Sequence, residues 1–187
     1  MVMDELSRKR HERDLRRQFQ PDQIRLSLNR AALFMVAYEL LKSRVMTKTR
    51  EFFIDSVDAK GFKYSQRYVS EVLERDKENR FRASCLWLAE QGAIEPKDIE
   101  VAERIRRHRH EIAHDLDVLI VDPDKSVDLA LFAEAHRLVA GLDRFWGRIA
   151  VDGDERFDGD KIASGDIKSL GLLVMEYILS VVVENAT

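Results

Sequence analysis

Proline limits where a helix can run more sharply than any other residue, and this chain of 187 residues has three. Its fixed φ and missing N–H bar it from helix interiors but suit a first helical turn. Pro21 precedes DQIRLSLNRAALFMVAYELLKSRV, Pro96 opens EPKDIEVAERIRRHRHEIAHDL, and Pro123 lies in VDPDKSVD. None interrupts a periodic apolar run, so the long stretches between them are free to be helical. Eight glycines are too few for a β fold with many tight turns. The chain therefore reads as all-α, an antiparallel helical bundle. Residues 1–187 are expected to form one domain, with 1–20 a peripheral basic helix.

The spacing of apolar residues predicts helices over 3–19, 22–57 (with a break near Thr47), 65–75, 77–91, 96–116, 127–150 and 166–184. Asp22, Ser65, Ser126 and Ser164 stand where N-caps are expected. DAKGFKY and DGDERFDGDKIASGD read as loops, and Val118–Val121 as a helical extension or connector. Phe81, Trp87, Phe132, Phe145 and Trp146 fall at helical spacings and are assigned to the core.

Charge and cysteine content narrow the function classes. The formal net charge of −3 excludes a strongly cationic coat or arm. The single cysteine, Cys85, excludes an intramolecular disulfide and a cysteine-based zinc cluster, and favours a reducing, cytoplasmic setting. Residues 1–17 show no apolar secretory core. The apolar stretch 167–183 is broken by Lys168, Ser169, Glu176 and Ser180, so a packing helix is expected rather than a membrane span. In the acidic loop 152–160, Arg156 takes the third ligand position of an EF-hand spacing, and a solvated loop is expected.

One segment carries chemistry. RIRRHRHEIAHD (104–115) begins with four arginines and two histidines without an acid, and three of the chain's five histidines, His108, His110 and His114, lie within it. At about 100° per residue, Ile99, Ala102, Ile105, Ile112 and Leu116 form one apolar stripe, and Arg109 lies on it between Ile105 and Ile112. A guanidinium in an apolar seam is costly unless it meets an anion or a carboxylate. His110 and His114 are i, i+4 and share a face, whereas Arg109 and His114 are about 140° apart on a straight helix. A helix end, a bend or a two-fold axis is needed to bring those two together.

Two sharp readings use these residues. HEIAH (110–114) has the H-E-x-x-H spacing of zinc metalloproteases, with His110 and His114 as ligands, Glu111 as base and Glu134 at the distance of a third ligand. Its flanking arginines oppose a divalent cation, and no strands are expected that would bind a peptide substrate. The second reading is Arg109, polar His110, Glu111-Ile112-Ala113, then His114. This RHEIAH phrase, late in a helix of an all-α chain, resembles the signature of the HEPN superfamily: Arg, a polar residue, three residues, His. The resemblance covers Glu103–Leu116. It implies a metal-independent endoribonuclease with no cofactor, of toxin or antiphage type. It also implies a homodimer in which two motifs form one cleft. Many such toxins have an antitoxin partner that modifies a tyrosine two residues after the motif histidine; Leu116 stands there in this chain. Catalytically silent members imply an alternative, a module that binds nucleotide or protein.

The chemistry holds together from the residue types alone. Internal RNA cleavage needs a base for the ribose 2′-OH, an acid for the leaving 5′-oxygen and a cation for the charge on phosphorus. A histidine serves as acid or base near neutral pH. An arginine holds phosphate through charge-assisted, bidentate bonds. His114 is accordingly assigned acid/base work, Arg109 phosphate stabilisation, His110 a supporting or second acid/base role, and Arg106 and Arg107 the RNA backbone.

Overall fold

Pro21 begins the first helix with described bounds in the computed structural model, which describes residues 10, 20–59, 61–122, 125–155, 163 and 169–184. Helix α1 (Pro21–Lys42) is interrupted next to Thr47, where the break is expected, and does not resume as one helix to residue 57. It passes into a π-helical turn, Ser43–Thr47, then the short α2 (Lys48–Phe52). A two-stranded antiparallel hairpin follows, β1 (Ile54–Asp58) and β2 (Gly61–Tyr64). DAKGFKY is thus not simply a loop: Asp58 ends β1 and Gly61–Tyr64 form β2. Val57 pairs with Phe62 and Asp58 with Gly61, whose φ of 110° suits the glycine. A register shift between Ile54 and Ser56 marks a bulge.

A second π turn (Tyr68–Val72) and a 3₁₀ turn (Leu73–Arg75) replace the regular helix expected over 65–75. Helix α3 (Arg80–Glu90) starts at the Asn79 cap, whose side chain accepts from the Arg82 N–H. Helix α4 (Pro96–His114) is followed at once by α5 (Leu116–Val121), then α6 (Leu129–Asp152) and α7 (Leu170–Glu184). Asp128, not Ser126, caps α6, accepting from the Ala130 and Leu131 N–H groups. The expected helix over 3–19 (apart from Arg10), Pro123, Ser164 and residues 156–160 of the acidic loop lie outside the described residues. The described chain is mostly helical, with the hairpin as its one sheet.

Helix α1 packs on α4, α5, α6 and α7, and α4 packs on α3 and α6. The core at their crossing holds Phe34, Leu41, Leu88, Ile105, Phe132, Val139, Leu142 and Met175. Phe81 and Trp87 are buried as expected, and Phe145 and Trp146 pack half-buried against the core. Trp87 stacks on Trp146 with ring centroids 6.3 Å apart and planes 15° from parallel. Cys85 is fully buried, and burial pushes its thiol up to about 12, which leaves it unreactive. Among the described residues no helix is long and apolar enough to cross a membrane.

A polar cross-tie joins three elements at the π turn. Arg44 Nε donates to one carboxylate oxygen of buried Asp143 on α6. Arg44 Nη2 donates to Ser169 Oγ at 3.0 Å, and Ser169 donates to the other Asp143 oxygen. Ser169 Oγ also accepts the Leu172 N–H of α7, and the Trp146 indole N–H donates to the Arg44 carbonyl at 3.0 Å. A Cβ at Gly171 would come within 2.5 Å of Arg44 Nη2, so glycine lets α7 approach the guanidinium.

The start of α4 is fixed by a reciprocal cap. Glu95 accepts from the N3 backbone, while Asp98 accepts from the Glu95 N–H at 3.0 Å. Asp98 also accepts from Arg137 Nη2 of α6 at 2.6 Å. Burial alone would raise the Asp98 carboxyl, but the Arg137 and Glu95 hydrogen bonds outweigh it and hold its pKa below the ordinary carboxylate value. A carboxylate depressed by folding stabilises the native state above its unfolded pKa of about 4 and loses that contribution as pH falls through the lower folded value. Asp98→Asn is therefore expected to cost about 2 kcal/mol at pH 7, the scale of a lost cap and charged hydrogen bond. Urea midpoints of wild type and variant should converge as the pH is lowered toward the depressed pKa. A gap that stays constant with pH would contradict this account.

Candidate functional site

Helix α4 presents the apolar stripe that its sequence predicts. Ala102, Ile105 and Ile112 are buried and Ile99 is half-buried. Leu116 departs from the expectation. The helix ends at His114, Asp115 leaves helical geometry (φ −119°, ψ 33°), and Leu116 begins α5 with its side chain exposed.

Arg109 sits at the rim of the stripe, facing α1, with its side chain 28% exposed. Its guanidinium carbon is 5.5 Å from the centroid of the Tyr38 ring. Its nearest acid is Glu39, with Nη2–Oε1 at 3.7 Å, beyond hydrogen-bond length, and the Glu39 side chain is 51% exposed. Arg109 Nε is buried and makes no hydrogen bond. A buried donor without a partner costs about 1–3 kcal/mol. This cation is thus held in place by packing and only loosely neutralised. Burial raises the neighbouring Tyr38 phenol above its ordinary pKa, against the pull of Lys42, Arg109 and Arg106.

The three histidines divide into two kinds. His108 is structural: its Nε2 accepts the Asp128 N–H at 2.9 Å, its Nδ1 bonds Glu111 at 3.0 Å, and its ring meets Phe34 edge-on at 4.9 Å. With Nε2 accepting, Nδ1 carries the proton in the neutral ring. His108 therefore ties α4 to the cap of α6. His110 and His114 are exposed and stacked, with ring centroids 5.3 Å apart and planes 16° from parallel. Because α4 runs unbroken through His114, His110 stays about 100° and His114 about 140° around the helix from Arg109.

The remaining predicted residues are paired along the helix. Arg106 meets Glu103 at 3.0 Å, and Glu103 also accepts from Asn79. Arg107 meets Glu100 at 2.6 Å with both side chains more than half exposed. Such an exposed pair is weak and exchanges readily with a phosphate, whereas Arg106 is held more firmly. The residues that surround Arg109, Tyr38 and Glu39, were not singled out from the sequence. The signal available was an acid set inside the apolar run AYELL.

The zinc spacing HEIAH does not become a ligand set. Glu111, its would-be base, is bonded to His108, and Glu134, its would-be third ligand, is bonded to Arg137 at 2.7 Å. Among the described residues no group of three or more metal-ligating side chains comes together. Two cavities border this part of α4. One, of about 320 Å³, is walled by His108, Glu111, Ile112, Asp115, Leu119 and neighbours. The other lies between Arg104, Arg107 and Asp128. Neither is lined by Arg109, His110 or His114; the two imidazoles are exposed, and Arg109 is partly buried beside Tyr38. Comparison of the chain with family models, with curated proteins and with solved structures finds no match to any of them.

Proposed function

We propose that this chain is a metal-independent endoribonuclease of HEPN type, acting through Arg109 and His114. The observation that carries the reading is the state of Arg109. It is a guanidinium with a buried, unbonded Nε and only a long contact to an exposed carboxylate, on the helix that ends in two solvent-facing imidazoles. A phosphate at Arg109 would meet the terminal Nη groups, one of which faces Glu39, and displace Glu39 into water. His114 takes the 2′-OH proton or supplies one to the 5′-oxygen, His110 works beside it, and Arg109 holds the charge that builds on phosphorus. The products are a 2′,3′-cyclic phosphate and a 5′-hydroxyl. Arg107, in its exposed pair, offers the RNA backbone a second cation.

Arg109 and His114 diverge on one straight helix, and neither of the two cavities described beside α4 gathers them. A homodimer that sets one copy's Arg109 beside the other's His114 accounts for both facts. Leu116 and Val118, each 37% exposed just beyond His114, supply apolar surface for such a contact. RNA is the substrate, and the HEPN resemblance implies an antitoxin as a second partner.

The test is incubation with total RNA, with and without EDTA. Wild type is expected to cleave equally in both, leaving cyclic phosphate ends, and His114→Ala is expected to leave the RNA intact. EDTA-sensitive cleavage would remove the mechanism. Absence of cleavage by a folded wild type would favour the non-catalytic binding module.

A further inference from the structure

Away from α4, the two π turns and the hairpin enclose a cavity of about 460 Å³, within the range of small-ligand sites. Three aromatic side chains line it, Phe62 and Tyr64 from β2 and Tyr68 from the second π turn, with Met46 of the first π turn beside them. Two arginines complete it, Arg50 from α2 and Arg80 from the first turn of α3. The Arg50 guanidinium lies over the Tyr64 ring, 3.9 Å from its centroid. Neither arginine meets a carboxylate among the described residues. The acid in the wall, Glu51, is already bonded to Lys48 at 2.8 Å. Burial raises the Tyr68 phenol above its ordinary pKa, and Arg50 and Arg80 pull against it, so both charges are felt at this ring.

Two guanidinium groups that meet no carboxylate among the described residues, one of them stacked on Tyr64, stand beside the rings of Phe62 and Tyr68 and match a ligand with about two negative charges and a planar ring. A phosphate monoester carries about −1.5 to −2 at neutral pH. Bases stack on aromatic side chains regardless of their identity, and arginine forks suit phosphate oxygens. A single carboxylate would leave one guanidinium unpaired. The N-terminus of α3, where Arg80 sits, adds its partial positive charge. Both π turns border the cavity, and such turns recur at functional sites because they re-aim side chains at the cost of regular bonding.

We propose that this cavity binds one nucleotide, its ring among Phe62, Tyr64 and Tyr68 and its phosphate on Arg50 and Arg80. The nucleotide is either free or an unpaired unit of an RNA strand. The site stands on residues other than Arg109, His110 and His114, so its failure and the failure of the ribonuclease reading are separable.

Calorimetric titration of the full chain with AMP and UMP tests the free form. A labelled ten-nucleotide single strand, titrated into the His114→Ala protein, tests the strand. Saturable binding is expected, with adenosine alone and inorganic phosphate alone each at least about tenfold weaker. Arg50→Gln with Arg80→Gln should weaken binding by at least about tenfold, and Phe62→Ser by about fivefold, without changing the melting temperature, because all three side chains are solvent-facing. Arg104→Gln, which removes one positive charge elsewhere, and Arg109→Met should leave AMP affinity unchanged. Binding of mononucleotides assigns a free ligand, and binding of the strand alone assigns RNA. No saturable binding of either probe overturns the proposal. Binding that survives the double arginine variant, or that Arg104→Gln weakens equally, overturns it too.

Discussion

Asp143→Ala is expected to cost about 3–5 kcal/mol, the scale of removing one partner from a buried ion pair. Its carboxylate is 3% exposed and faces Arg44, itself 14% exposed. Alanine would leave that guanidinium buried beside Ser169 with no anion, and Ser169, which caps α7, would lose the acceptor that orients it. Against a total stability of roughly 5–15 kcal/mol for a domain of this class, the loss is severe. Urea denaturation followed by circular dichroism measures it. The paired variant Arg44→Met with Asp143→Leu should recover most of the loss, because neither charge then remains to be solvated. A single-variant cost below about 1 kcal/mol would mean that the cross-tie is not what joins the π turn to α6 and α7.

The second large effect separates activity from stability at Arg109. Arg109→Met is expected to lower RNA cleavage by about 10²–10⁴-fold, the range for losing a preorganised charge or an acid–base group. The same change should leave the melting temperature unchanged or raise stability by about 1 kcal/mol. It removes an unbonded buried Nε and a long contact to Glu39, and the methionine can lie along the Tyr38 ring. Arg109→Lys keeps the charge without the fork and should fall between. A Met variant that unfolds, with cleavage lost only for that reason, would make Arg109 a structural residue. Stability of Arg109→Met and cleavage by Asp143→Asn, assayed where each is folded, keep the two roles apart.

The course of α4 is legible in the residues because its signals agree. Pro96 and the Glu95–Asp98 box start it, and Ala102, Ile105 and Ile112 point one way. Its end is less legible: Asp115 breaks the helix, yet Leu116 continues the apolar spacing into the next one. The hairpin is not legible in the sequence because β1 has no buried alternation to read. Four of its five residues are exposed, and only the pairing with β2 makes it a strand. The π turns leave no compositional mark, since the extra residue shifts the phase without changing the residue types. For the site, an arginine within an apolar stripe was visible, and so was the imidazole pair. Glu39 and Tyr38 were not, because their relation to Arg109 exists only once α1 crosses α4. His108 was grouped with its neighbours by spacing, and only the Asp128 N–H shows that it belongs to the framework.

The stacked indoles have a practical consequence. Trp87 and Trp146 are the chain's only tryptophans, and they sit together beside the first π turn. Tryptophan emission therefore reports on that corner of the molecule, separately from the tyrosines, of which Tyr38 lies beside Arg109. Melting curves recorded by emission and by far-ultraviolet ellipticity coincide only when the two ends come apart in one step. A lag between them would resolve the molecule into separately cooperative parts without any label.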